Sequence, residues 1–238
     1  MPLILNIDTA TEYASVCISK GNEVLAMESN ADQKNHGSFI QPAIQRLMNA
    51  ASLTLQAFDA IAVTAGPGSY TGLRVGLATA KGLCYATQKP LILINTLEVM
   101  AVASIQLQTE NQKPETENCL FCPMIDARRM EVFTALYDRY LNIVCEPAAK
   151  ILDESSFKEW LNRQPVIFSG SGHAKLENIL QNPNAFFSNV QQHAGHLSVL
   201  SIKAFGQKKF ADIATSGPTY IKEFFTIAPQ VLKVEKLL

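Results

Sequence analysis

Val63-Thr64-Ala65-Gly66-Pro67-Gly68-Ser69-Tyr70-Thr71-Gly72-Leu73-Arg74-Val75-Gly76 reads as the end of a strand, a glycine-rich turn and the opening of a helix. The run from Phe58 to Ala65 carries the chain out of a core. Pro67 fixes its own φ, and Gly66 and Gly68 permit dihedrals that a Cβ forbids. A junction of this kind points backbone N–H groups at an anion, so Gly66, Gly68 and Ser69 are candidate phosphate-turn residues. A tight turn that merely packs a helix on a sheet is the competing reading. No Gly-Lys-Ser/Thr follows, so the phosphate-reaching lysine of a Walker loop is missing. Nor is the spacing Gly-x-Ser-x-Gly, which makes Ser69 a poor nucleophile elbow.

The helix that follows, Thr71 to Gln88, has an unusual wheel. At about 100° per residue, Arg74, Lys81 and Gln88 fall in one narrow polar stripe, and nearly everything else is apolar or small. A helix lying on a sheet needs one apolar face; one apolar almost all round is buried on more than one side. Gly72, Gly76 and Ala80 stand one above another, a ridge along which a second backbone could approach closely. With Val75, Thr79 and Leu83 they form one half of a candidate partner interface. A central helix between the sheet and a second domain would show the same pattern. The helix expected from about His36 to Ala51 repeats the excess. Phe39, Ile40, Ala43, Ile44, Leu47, Met48 and Ala51 spread over roughly half the circumference, wider than the ~100° stripe of an ordinary surface helix. Phe39, Ala43 and Leu47 supply the other half of the interface.

Nearly half of the 238 residues are hydrophobic (47%), which excludes a disordered chain. The net charge is −1, and Arg128-Arg129 and Lys208-Lys209 are the densest basic features, a weak footprint for holding nucleic acid unaided. The first residues run straight into an apolar strand with no basic leader, and no apolar run reaches membrane length. Five cysteines, an odd number without a signal peptide, fit a reducing cytoplasm. Cys119 and Cys122 have redox or zinc spacing, but no second pair completes a metal set, and both open an expected strand as core residues.

The chain divides near its middle. Strands are expected at Leu3 to Asp8, Tyr13 to Ser19 and Glu23 to Ser29, then come the two helices around the glycine turn, a strand Leu91 to Asn95 and a helix from Leu97. A polar connection, Gln108 to Asn118, follows. The pattern then restarts, with strands Leu120 to Ile125, Glu131 to Tyr137 and Leu141 to Cys145. A helix Asp153 to Asn162, a strand Val166 to Ser169, the turn Gly170-Ser171-Gly172 and a helix to Leu180 complete it. Two halves of one grammar imply a duplicated α/β unit, with a first lobe over 1–107 and a smaller second lobe with a C-terminal tail over 108–238.

The segment Gly66 to Gly76 resembles the TsaB (YeaZ) family of bacterial tRNA threonylcarbamoyladenosine synthesis. So do Ile7-Asp8-Thr9-Ala10, Asp126-Ala127-Arg128-Arg129-Met130-Glu131-Val132-Phe133 and Gly217-Pro218-Thr219-Tyr220-Ile221. These lie in order and cover most of the chain. The resemblance implies an actin-like ATPase (ribonuclease-H-like) fold of two similar lobes, each with a mixed sheet and helices. It also implies a subunit that does not catalyse the transfer itself. Such a subunit binds the related catalytic subunit TsaD and is joined by the ATPase TsaE. The apolar faces of the helices at 36–51 and 71–88 predict in addition a homodimer, or other self-association, when the chain is alone, and tRNA is expected to be met only through the complex.

Departures from active relatives agree with that expectation. Catalytic cousins end the strand after the second helix in Asn-His-x-x-x-His, whose histidines bind a metal; here Thr96 and Met100 stand in their places. A threonine hydroxyl is a weak ligand and a thioether a soft one. Kinases of this fold use an Asp-x-Gly-Thr/Ser phosphate turn; here it is Asp8-Thr9-Ala10-Thr11, where Ala10 restricts the loop. Asp8 and Thr9 therefore belong to a degenerate turn, with Asp8 expected as a structural acceptor. Of the histidines, His193 and His196 read as a helix start, His36 as a cap or surface residue, and His173 as a helix end. The expectation is no metal, no cofactor, no catalytic residue, no membrane and a cytoplasmic setting. An autonomous kinase or ATPase, a metallopeptidase-like hydrolase, and a merely self-associating protein are the rivals.

Overall fold

The structure, a computed structural model, describes residues 1–32, 35–110 and 118–222. Most of the expected polar connection (111–117) and the tail from 223 onward lie outside the described residues. β1 (Leu3–Asp8), β2 (Ala14–Lys20) and β3 (Glu23–Asn30) are followed by α1 (His36–Ala50), β4 (Ala60–Gly66), α2 (Tyr70–Thr87), β5 (Leu91–Asn95) and α3 (Thr96–Glu110). The second half runs β6 (Leu120–Asp126), β7 (Glu131–Tyr137), β8 (Ile143–Ile151), α4 (Lys158–Leu161), β9 (Val166–Ser169), α5 (His173–Glu177), β10 (Ala185–Ser188) and α6 (Ala194–Gly206).

The first sheet has the order β3-β2-β1-β4-β5 and the second β8-β7-β6-β9-β10. In each, the first three strands pair antiparallel and the remaining two add in parallel. This is the duplicated α/β, ribonuclease-H-like arrangement expected. β1 and β4 are central, and their near-continuous apolar runs are buried on both faces, as strands covered by helices on each side must be. One face packs Leu5, Ile7, Val16 and Ile18 against Ile40, Ala43, Ile44 and Leu47 of α1 and Leu77, Ala80 and Cys84 of α2. The other packs Ile4, Ala60, Ala62, Ile92 and Ile94 against Val99 and Val102 of α3 and Leu197, Leu200 and Ala204 of α6.

The helix buried all round is therefore α3, not α2. Every residue from Thr96 to Ser104 except Glu98 is buried, because α3 lies between the two sheets. Leu97, Met100 and Ala101 join Ile125, Ala135 and Tyr137 of the second lobe, and the Ser104 hydroxyl donates to Ser169 Oγ at 2.7 Å. The division at 107/108 separates the sheets but not the lobes' cores, since α6 returns from residue 194 to cover the first sheet. Other expectations shift in the second lobe. β8 is longer and later than the expected 141–145 strand, and the helix expected over 153–162 shrinks to α4. There the Asp153 carboxylate accepts from the Ser155 amide and from the Ser155 and Ser156 hydroxyls, and Phe157 turns to φ 63°. Such side-chain bonds to neighbouring groups compete with helix. The helix expected to reach Leu180 ends at Glu177.

Candidate functional site

Two regions gather the residues singled out in the sequence. The first is a cleft of about 860 Å³ between the lobes, lined by Ala10 to Glu12, Pro67 to Thr71, Asp126 to Arg128, Phe133, Ser171 and Thr219 to Lys222. The degenerate phosphate turns meet at its floor and bond to each other. Asp8 is fully buried; its Oδ1 accepts from the Ala10 amide at 3.1 Å and the Thr64 hydroxyl at 2.9 Å, and its Oδ2 has no partner among the described residues. Burial raises its pKa, against the pull of those two hydrogen bonds and of nearby His36. Asp8 is thus the structural acceptor expected.

Two of the turn's amides are taken by the chain itself. The Ser69 amide donates to the Ala10 carbonyl at 2.7 Å, and the Gly72 amide to Ser69 Oγ at 3.3 Å, Ser69 being the N-cap of α2. Gly66, at φ 117°, makes room for the carbonyl of Thr219, and a Cβ on Gly68 would overlap the carbonyl of Ala10. The turn that reads as a phosphate cradle is closed by its own chain, and the competing reading of a packing turn describes these glycines. The cousins' metal does not fit either. Thr96 is wholly buried with its hydroxyl unpartnered among the described residues, and Met100 fills the space between the lobes, where a Cβ on Gly170 would strike its methyl. No three His, Cys, Asp or Glu side chains among the described residues could share a metal.

The remaining candidates resolve as packing groups. Burial pushes the Cys122 thiol up to about 12, and Cys119 to about 11. His193 and His196 start α6 as expected: His193 Nδ1 accepts from the Gly195 amide and His196 Nδ1 from the His193 amide, both at 3.1 Å. His36 departs from expectation. It is buried at the start of α1, with Nε2 3.1 Å from the carbonyl of Glu12.

The second region is the outer surface of α1 and α2, and here the expected interface splits. Ala43, Leu47, Gly72, Gly76 and Ala80 are buried inside the chain. The ridge is real, but the backbone that approaches it belongs to the β1–β2 turn. A Cβ on Gly72 would overlap the Thr9 carbonyl, one on Gly76 would overlap Thr9 Oγ1, and the Thr9 hydroxyl donates to the Gly72 carbonyl at 2.7 Å. No partner helix can reach that ridge. Phe39, Val75, Thr79 and Leu83 are half-buried, and Phe39, Val75 and Leu83 also pack on the rim of the core. Between the helices runs an open, apolar groove of about 480 Å³ lined by Gln41, Ile44, Gln45, Met48, Leu55, Ala78, Thr79, Gly82 and Leu83. Gln41, Gln45, Ala78 and Gly82 were missed in the sequence. Their signal was the lack of charge where a solvent-facing helix surface normally carries it.

A family model described as TsaD, tRNA N6-adenosine threonylcarbamoyltransferase, matches residues 23–234. The tRNA threonylcarbamoyladenosine biosynthesis protein TsaB of Bacillus subtilis is 28% identical over 92% of this chain and 93% of its own length. Its namesake from Haemophilus influenzae is 33% identical over 77% of this chain and 70% of its own. The solved structure of YeaZ from Pseudomonas aeruginosa superposes with a TM-score of 0.78 at 25% identity, covering 92% of this chain and all of that one.

Proposed function

The chain belongs to the TsaB (YeaZ) family, and from that premise we propose that it serves tRNA threonylcarbamoyladenosine biosynthesis as a non-catalytic, activating subunit. It binds a TsaD-like catalytic subunit through the outer face of α1 and α2, in a complex that a TsaE-like ATPase joins. A second copy of the chain competes for the same face when the partner is absent. It works in the cytoplasm and meets tRNA through the complex. The supporting observation is the groove between α1 and α2. It is apolar and open, and the two helices that build it already use their opposite faces on the sheet. Exposed apolar surface of this kind marks interaction sites. The non-catalytic role is supported by the way the two turns close on each other, with the Ser69 amide on the Ala10 carbonyl and the Gly72 amide on Ser69 Oγ. It is supported too by Met100 and Thr96, buried where a metal would need ligands.

Reconstitution tests the reading. With the TsaD-like and TsaE-like subunits, tRNA and substrates, formation of the modified nucleoside is expected to require this chain. The chain alone is expected to hydrolyse ATP far more slowly than the ~1–10³ s⁻¹ of ordinary enzymes. Modification at the full rate without it, or a stoichiometric metal retained after dialysis, would overturn the proposal.

A further inference from the structure

Residues 211–222 add no strand to either sheet; Ala211 and Ile213 pack on the rim of the first sheet's core, and from there the segment touches both lobes in sequence. The Ala211 amide donates to the Leu91 carbonyl at 2.8 Å, fixing the segment to the edge of β5. The Lys81 ammonium donates to the carbonyls of Ser216 at 3.0 Å and Ala214 at 3.4 Å. The Thr219 amide donates to the Ala65 carbonyl at 2.7 Å, over the space that Gly66 leaves open. Tyr220 then stacks on Tyr70, with centroids 5.7 Å apart, and its hydroxyl receives a bond from Arg74 Nε at 3.2 Å. The Arg74 guanidinium lies 4.0 Å from the centre of the Tyr70 ring. At the tip the segment crosses to the second lobe. Ile221 packs into the cluster of Leu97, Met100 and Ile125, and Lys222 Nζ meets Glu131 Oε1 at 2.5 Å.

We infer that this segment is a latch, rooted on the first lobe and fastened to the second across the mouth of the cleft, with α3 as the hinge behind it. The polar stripe of α2, Arg74 and Lys81, exists to seat it. The two sides of the molecule differ in kind. Around α3 the lobes share a buried apolar cluster, which resists separation. At the mouth, besides the partly buried Ile221 at the edge of that cluster, the segment is held by exposed groups: a tyrosine stack and an arginine bond to the first lobe and one ion pair to the second. Contacts of this class open locally at far lower cost than a packed core. Opening the latch would uncover the Gly66–Tyr70 turn, Tyr70 and Arg74 on one wall and the Arg128 hairpin on the other. This inference does not depend on the family reading.

Hydrogen exchange and solution scattering on the full chain test it. Lys222→Glu is expected to speed exchange of the amides at 217–222 by about two- to fivefold, the ratio that an exposed ion pair of ordinary strength controls. Lys222→Glu combined with Glu131→Lys is expected to restore slow exchange. Tyr220→Ala is expected to speed exchange at 217–222 and at the turn 66–71, and to enlarge the radius of gyration. Unchanged exchange in Lys222→Glu, no restoration by the swap, or a loosened segment with unaltered lobe spacing would each overturn the latch.

Discussion

Asp8 is a carboxyl that the fold holds against its own ionisation. Burial raises its pKa, and its second oxygen has no partner among the described residues. The folded state therefore holds the proton more tightly than the unfolded state. The stability this gives is complete below the unfolded pKa and is lost as pH rises through the folded one. Asp8→Asn keeps the acceptor for the Ala10 amide and the Thr64 hydroxyl and removes the charge. It is expected to raise the melting temperature by a few degrees at pH 8, and by less at pH 4. A lower Tm at both values would contradict it. The histidines of α6 work in the opposite direction. Each accepts a backbone N–H at Nδ1, which requires the neutral ring. Burial lowers both pKa values, and for His196 burial together with its neighbour His193 brings it down to about 3. Their stability is present above the unfolded value near 6.5 and drains as pH falls toward 3. His193→Ser keeps an N-cap acceptor without a titrating ring, so its urea midpoint is expected to fall less between pH 7 and pH 4 than that of the unaltered chain.

At the scale of the element, α2 shows what a helical wheel can and cannot tell. The ridge of Gly72, Gly76 and Ala80 and the stripe of Arg74 and Lys81 were legible in the sequence. What each face meets was not, because small residues permit close approach by any backbone, and this one came from a turn some sixty residues earlier. A lysine on a helix likewise gives no sign that its acceptors are carbonyls more than a hundred residues away. The strands around Asp8 and Gly66 were legible for the converse reason, since continuous apolar runs ending in turn residues specify buried parallel strands locally. The consequence for mutagenesis is concrete. Gly76→Leu and Ala80→Glu are folding mutations and are expected to lower Tm sharply. Gly82 has open space where a Cβ would stand, so Gly82→Ala is expected to stabilise the chain by about 0.5–1 kcal/mol. Thr79→Arg or Gly82→Arg would leave Tm near that of the unaltered chain while weakening association with the TsaD-like subunit, or self-association, by about tenfold or more, ~1.4 kcal/mol. Binding and sedimentation measurements check this; unaltered association in both would exclude the groove.

For the whole molecule, the shared packing of the two lobes predicts one cooperative unfolding body. α3 is buried between the sheets, and α6 crosses back from the second half to close the first sheet. Leu197→Ala, at a fully buried site of that closure, is expected to cost about 2–5 kcal/mol and to shift a single unfolding transition, not one of two. A second transition in calorimetry would show the lobes to be independent. The duplicated grammar revealed both sheets in the sequence, but nothing local ties residue 197 to Ile4 or Ala62, so the return crossing could not be read there.

That return crossing also sets a timetable for birth. A ribosome releases Ile4, Ala60, Ala62, Ile92 and Ile94 long before Leu197, Leu200 and Ala204, a delay on the order of ten seconds at ordinary elongation speeds. For that interval one greasy side of the nascent first sheet has only α3 to cover it, and the part that α6 will take stays bare. A nascent chain arrested before residue 194 is therefore expected to be the form that chaperones hold, and the form that clumps when they are scarce.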